Sequence, residues 1–258
     1  MSTVVDISPS QLALCLVFVL VAAAGSFFLK LRLEKDLLIG TVRTFAQLFL
    51  VGYVLQFVFG LNNPFLILAL YLWMIFWAAH AVRGRVDEKT VHLFTPTFVS
   101  MVVSYVAITA AVTGLIVQVK PWYTPQYFIP LGGMIIGNSM NAISISLDRL
   151  FSDLRKSRAE IELAFSLGAT YQEATGTILR DAVRSGMIPS INALMTVGLV
   201  SLPGMMTGQI LAGADPVLAI KYQIVVMLML VASTAIGSVI VTLIIRRLCF
   251  TRDHQIRL

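Results

Sequence analysis

The chain has 258 residues; 58% are hydrophobic, only 12% are charged, and the formal net charge is +6. Soluble domains carry about 25% charged residues, and a water-soluble fold of this size could not hide so much apolar side chain. A secreted disulfide scaffold, a disordered tail and an ordinary cytosolic enzyme are excluded, which leaves an all-α, polytopic integral membrane protein.

Crossing a hydrocarbon core of about 30 Å takes about 20 apolar residues as helix. Seven segments qualify. They are Gln11 to Leu29, Leu37 to Phe59, Pro64 to Ala81, Phe98 to Val119, Tyr127 to Leu147, Met187 to Ala212 and Tyr222 to Ile245. The fifth is less apolar and rich in Gly, Asn and Ser, and the sixth is interrupted by Pro203 and Gly204.

Charge orients these spans. Lys30, Arg32 and Lys35 follow the first, and Arg83, Arg85 and Lys89 follow the third. Arg149, Arg155, Lys156, Arg158, Arg180 and Arg184 separate the fifth from the sixth, and Arg246, Arg247, Arg252 and Arg257 close the chain. If every span crosses, all of these lie on one side. Positive loops face the cytoplasm, so the N-terminus is expected outside and the C-terminus in the cytoplasm of a plasma membrane (the inner membrane of a Gram-negative source). The same asymmetry accounts for the positive charge, so no nucleic acid is expected as a partner; membrane lipid is. In the first span positive charge follows the apolar stretch, the reverse of a signal peptide, so it reads as an uncleaved helix. Cys15 and Cys249 stand at opposite ends of the chain and suggest neither a bridge nor a metal cluster.

Residues 148–186 form the one sizeable polar segment within what reads as a single transmembrane domain over 1–258. The segment has no Pro and can be helical. Ile161, Leu163, Ala164, Phe165 and Leu167 alternate with Glu160 and Glu162. Such a pattern suits a helix lying on the membrane surface, or one that docks into another protein. The run Glu162-Leu163-Ala164-Phe165-Ser166-Leu167-Gly168-Ala169, with Ile178 beyond it, resembles the cytoplasmic Glu-Ala-Ala loop of ABC transporter permeases. Arg180 and Asp181 stand where that loop has Leu-Pro. Span five reads Pro130-Leu131-Gly132-Gly133-Met134-Ile135-Ile136-Gly137-Asn138-Ser139-Met140-Asn141. The later run Leu202-Pro203-Gly204-Met205-Met206-Thr207-Gly208-Gln209 is still more distinctive. Together they are similar to the FetB-type permease family over nearly the whole chain. That resemblance implies an ABC transporter membrane subunit associated with iron export, with plant relatives linked to aluminium tolerance. It also implies a separate cytosolic ATPase subunit, a homodimer of the permease, and Glu160, Glu162, Ala164, Gly168 and Ala169 as coupling residues.

Polar groups within the spans must find partners. On a helix Met134, Asn138 and Asn141 share a face; the two amides either bond across helices or line a substrate path. Gly133 and Gly137 make a small-residue pair suited to close helix approach. Pro203 removes a backbone donor and, with Gly204, breaks span six, and broken helices often mark transport sites. Beside the break stand Met205, Met206 and Gln209; the thioethers are soft ligands or adaptable packing, and the amide oxygen suits a harder cation or a chelate. Arg43 and Gln47 lie one turn apart in span two, where Arg43 either snorkels to the inner interface or joins the path. No Asp or Glu falls inside a span, which argues against a high-affinity cage for a bare cation. Gly-Lys never occurs, so no nucleotide-binding loop and no cofactor are expected in this chain. No catalytic constellation is legible. The rival reading is an ATP-independent secondary transporter or channel.

Overall fold

A computed structural model describes residues 7–60, 63–86, 88 and 91–251. The described residues are almost entirely helical, with no β-strand beyond an isolated bridge between Val197 and Ser201. Lys89, Arg252 and Arg257 of the charge pattern lie outside them.

The chain divides into two units, one of residues 1–61 and 211–214, the other of 62–210 and 215–258. The first unit is a helical hairpin. Helix α1 (Pro9–Leu14) starts on a capping box: Ser8 Oγ accepts from the Gln11 N–H, while Gln11 Oε1 accepts from the Ser8 N–H at 2.8 Å. This satisfies two donors that a helix start leaves open. After Cys15 the chain continues as α2 (Leu16–Phe28) and returns as α3 (Glu34–Phe59). Ser26 staples the turn, donating to Glu34 Oε1 at 2.8 Å and accepting from the Leu33 N–H at 3.0 Å. Lys30 and Arg32 take the left-handed backbone there. Almost no side chain of this hairpin is buried, as expected where apolar faces meet lipid or another chain.

The second unit is built around one helix. It comprises α4 (Pro64–Arg85), α5 (Phe94–Ala111) with a π-turn extension at Val112–Ile116, α6 (Pro125–Lys156), α7 (Arg158–Ser166), α8 (Tyr171–Ala174), α9 (Gly176–Thr196), α10 (Gly204–Leu211) and α11 (Pro216–Leu248). Helix α6 packs against α4, α5, α9 and α11. Its Ile135, Ile143, Leu147, Leu150 and Leu154 are fully buried, beside Tyr71 of α4 and Tyr105 of α5. Close approach comes from small residues. A Cβ at Gly132 would collide with the Tyr71 ring, and one at Gly237 of α11 would stand 3.1 Å from the Tyr105 hydroxyl. At Gly186 of α9 a Cβ would lie against Ser146 Oγ and 2.5 Å from the Ala142 carbonyl oxygen. Of the expected Gly133–Gly137 pair, Gly133 lies close under α4, where a Cβ would stand 3.3 Å from Met74 Cε, whereas nothing lies within 4 Å of a Cβ at Gly137. The tightest approach to α4 is at Gly132.

Among the described residues six helices are long and apolar enough to cross a membrane: residues 9–28 (α1 and α2 together), α3, α4, residues 94–116, α6 and α11. The segment from Met187 to Ala212 is different. Helix α9 ends at Thr196, residues 197–203 are non-helical, and α10 begins at Gly204. The break therefore starts six residues before Pro203. Gly198 takes φ +83° and its N–H bonds the Ser201 carbonyl at 2.9 Å, closing a small loop. Pro203 disfavours helix in the residue before it, so helix resumes only at Gly204.

The crossing of α6 and α9 gives a direct test. Gly186→Ala should lower stability by about 1–3 kcal/mol, because the Ala142 carbonyl is backbone and cannot turn away. Gly137→Ala should be neutral or stabilising by up to about 1 kcal/mol. Thermal unfolding of both variants in detergent measures the contrast, and equal melting temperatures would contradict the packing.

Candidate functional site: a polar cleft and a docking segment

Helix α6 has 32 residues and is therefore about 48 Å long, well beyond a bilayer core of about 30 Å. The excess lies at its C-terminal end, where span five runs nine residues past Leu147. Along α6, Asn138, Asn141, Ile145 and Asp148 follow spacings of three, four and three, and all four are exposed. With Gly186, Pro189 and Ser190 of α9 and Arg85 at the end of α4 they line a cleft of about 520 Å³. Arg85 Nη1 donates to Asn141 Oδ1 at 2.6 Å, and Asn138 Nδ2 donates to the Met134 carbonyl at 3.0 Å. Ser139, one residue from Asn138, is buried and bonds Ser233 of α11 at 3.1 Å. The amides thus differ from their neighbours: they bond within or beside the cleft, not across the core. Asp148, the first residue past the fifth span, continues the stripe of the amides along α6.

The other expected path residues do not join this cleft. Met206 is buried and lines a separate, almost wholly apolar cavity of about 350 Å³ with Leu194, Leu202, Pro203, Gln223 and Met227. Met205 and Gln209 are half-buried on α10, and Gly204 is its exposed first residue. The Gln209 and Gln223 Oε1 atoms are buried without a hydrogen-bond partner among the described residues. Arg43 and Gln47 are exposed on α3, in the hairpin unit. Among the described residues no three His, Cys, Asp or Glu side chains gather as a metal-ligand group.

The polar segment folds as a helix–turn–helix. Helix α7 ends in a Schellman motif: the Gly168 N–H bonds the Phe165 carbonyl and the Ala169 N–H bonds the Ala164 carbonyl, each at 3.0 Å. Gly168 takes φ +89°, a conformation that glycine adopts without penalty. Nothing lies within 4 Å of a Cβ there, so within this chain the glycine serves the turn. Thr170 then caps α8 with Glu173 in a reciprocal box. The Thr170 backbone N–H and hydroxyl hold the Glu173 carboxyl below its ordinary value. Glu162 pairs with Arg158 at 2.9 Å. Ala164 and Ala169 are half-buried at the turn.

This segment has two faces. Inward, Ile161 is buried, and the rings of Phe165 and Tyr171 stand 5.8 and 5.7 Å from that of Phe250. Arg246 of α11 lies over the Tyr171 ring at 5.6 Å. Outward, Glu160, Leu163 and Leu167 form a stripe at spacings of three and four, with Leu163 61% and Leu167 80% exposed. Cys249, beside this joint, is fully buried; burial, with Glu88 nearby, pushes its thiol up to about 12. Arg155 pairs with Glu88 and Arg149 with Asp153.

Sequence reasoning missed Arg85, taken only as a loop charge, and Asp148, taken as the first loop residue. The signal for Asp148 was the unbroken helical spacing from Asn138. Arg85 had none, because it arrives from another helix. Phe250 and Arg246 were likewise read only as tail.

The model of an uncharacterised protein family, UPF0014, matches residues 9–250. The "Probable iron export permease protein FetB" of Escherichia coli is 38% identical over 251 residues, covering 97% of this chain and 95% of that protein. The "UPF0014 membrane protein YjkA" of Bacillus subtilis is 39% identical, with 96% and 97% covered. The "Protein ALUMINUM SENSITIVE 3" of Arabidopsis thaliana is 35% identical, with 95% and 88% covered. No solved structure matches.

If the cleft is wet, single cysteines should report it. In a background with Cys15 and Cys249 replaced by Ser, Asn141→Cys should react with a small aqueous thiol reagent at least ten times faster than Ser139→Cys. Both lie on α6 two residues apart, so depth is shared and only the face differs. Equal rates would contradict an aqueous cleft.

Proposed function

This chain belongs to the UPF0014 family of membrane proteins, and we propose that it is the permease subunit of an ABC transporter that exports iron or another metal species. Energy comes from a separate cytosolic ATPase subunit. On this reading the chain crosses the membrane seven times, with the break-and-α10 segment completing the sixth passage. The N-terminus is then outside, and residues 148–186 lie in the cytoplasm. The ends of α4 and α6 and the start of α9 also lie on that side, so the cleft opens toward the cytoplasm. An exporter must collect its cargo there.

The observation that carries the reading is the two-faced docking segment. The Leu163–Leu167 stripe is apolar, exposed and outside the hydrophobic spans. An amphipathic helix of this kind fits a groove on a partner. Its opposite face is tied through Phe165 and Tyr171 to Phe250 and Arg246, at the end of a 33-residue helix. A displacement imposed at the stripe would therefore be passed into the membrane. ATPases of ABC transporters act in pairs, so two copies of this chain form the permease. The exposed faces of the first hairpin are surfaces such a pair could cover.

Two charges placed on the stripe test this. Leu163→Asp with Leu167→Asp should leave membrane insertion and the melting temperature unchanged, because both side chains are exposed. Co-purification with a co-expressed ABC ATPase subunit should fall at least tenfold, and metal export with it. Undiminished co-purification would place the docking contact elsewhere. Metal export that persists without any ATPase would favour the secondary transporter.

A further inference from the structure

The cleft between α4, α6 and α9 has a defined polarity. Arg85 carries five N–H donors in a planar fork. Among the described residues its one hydrogen bond goes to Asn141 Oδ1, and it makes no ion pair. The guanidinium groups of Arg149, Arg155 and Arg158 each meet a carboxylate. The partner of Arg85 is instead a neutral amide, which orients the fork and neutralises nothing. Accepting this bond also commits the Asn141 oxygen and leaves its NH2 donors to the cleft. Ser190 adds a rotatable hydroxyl on the α9 side. One end of the cleft is therefore cationic and rich in donors. Asp148 stands two turns along α6 from Asn141, about 10 Å away, and lines the other end of the cleft.

A bare cation is poorly served here. Arg85 repels it, and no three-membered group of His, Cys, Asp or Glu is present among the described residues. A guanidinium fork with an adjacent amide matches the two oxygens of a carboxylate. The volume of about 520 Å³ lies within the range of small-molecule sites, roughly 300–1,000 Å³.

We propose that this cleft binds the cargo through a carboxylate seated on Arg85 and Asn141, so that a metal enters as a hydroxycarboxylate chelate and not as an aqua ion. This rests on the transport reading above and names its substrate class. The carboxylate oxygens that do not hold the metal face Arg85. The free acid and its metal complex share the recognised group.

Titration calorimetry on the purified full-length chain tests the proposal without any ATPase. The probes are citrate, iron(III) citrate and iron(II) chloride. Citrate and iron(III) citrate should both bind, and Arg85→Gln should weaken each at least tenfold. Arg85→Lys, which keeps the charge and loses the fork, should weaken them less. Asn141→Ala should cost several-fold and keeps the test open if an Arg85 variant does not stay monodisperse. Tighter binding of iron(III) citrate than of citrate would make the chelate the cargo, and equal binding would make the free acid sufficient; both uphold carboxylate recognition. Citrate affinity unchanged in Arg85→Gln, or saturable binding of iron(II) chloride alone, would overturn it. Loss of citrate binding with ATPase association intact defeats only this proposal. Citrate binding by a chain that associates with no ABC ATPase in co-purification defeats only the ABC reading.

Discussion

A polar group at bilayer depth has no water to turn to, and the cost of leaving it unpaired is several kcal/mol. The second unit is organised by that cost. Ser100, Ser104 and Thr242 each return their hydroxyl to a carbonyl one turn back on their own helix. Tyr71 bonds Thr109 at 2.8 Å and Ser139 bonds Ser233 at 3.1 Å across helices, while Thr97, Ser146, Gln223 and Ser238 each keep a buried side-chain oxygen without a partner among the described residues. Apolar and small residues close the contacts around α6. Two features differ from this packed interior. Asn138, Asn141 and Asp148 form an exposed stripe, and residues 197–203 leave the helical ladder altogether. Irregular backbone and exposed amides at such depth require protein or water beside them. That requirement separates a packed face of α6 from a functional one.

The same helix links the regions that the proposed function needs. Its buried face anchors α4, α5, α9 and α11, and its exposed stripe lines the cleft. Its overhang beyond the bilayer leads through Ser157 into α7. Gly186 sets the distance between α6 and α9, so the width of the cleft depends on a contact with no room for a methyl group. From α7 the chain is tied a second time to the membrane part through the cluster of Phe165, Tyr171, Phe250 and Arg246. On the proposed reading an ATPase moving α7 acts on both α6 and α11. The metal-export role comes from similarity to a protein named for it, and the chemistry of the cleft then narrows what form the metal takes.

Much of the fold was legible because a membrane helix announces itself by length and apolarity. The all-α class and the helices that cover spans one to five and seven follow from that signal. What the sequence could not show was phase and extent. Helix α6 continues to Lys156 because its amphipathic pattern persists past Leu147 even though its hydropathy falls. The break begins near Val197, where a left-handed glycine and a distant proline act together; proline alone pointed to Pro203. Gly132 and Gly137 look equivalent in a glycine-rich run, and only the position of Tyr71 distinguishes them. For the candidate site, Asn138 and Asn141 were visible as polar residues on one helical face. Arg85 was not, because its place in the cleft depends on how α4 ends beside α6. The methionines of α10 could be read from composition as soft ligands or as packing; Met206 lines an apolar cavity.

The central claim is that ATP hydrolysis on a separate subunit drives cargo through this chain from the cytoplasmic face. Inverted membrane vesicles expose that face to the medium, so ATP-dependent uptake of iron(III) citrate into them measures it directly. The account predicts uptake when permease and ATPase are both present, and none when either is absent or when ATP is replaced by a non-hydrolysable analogue. Uptake driven by an ion gradient without ATP would contradict it.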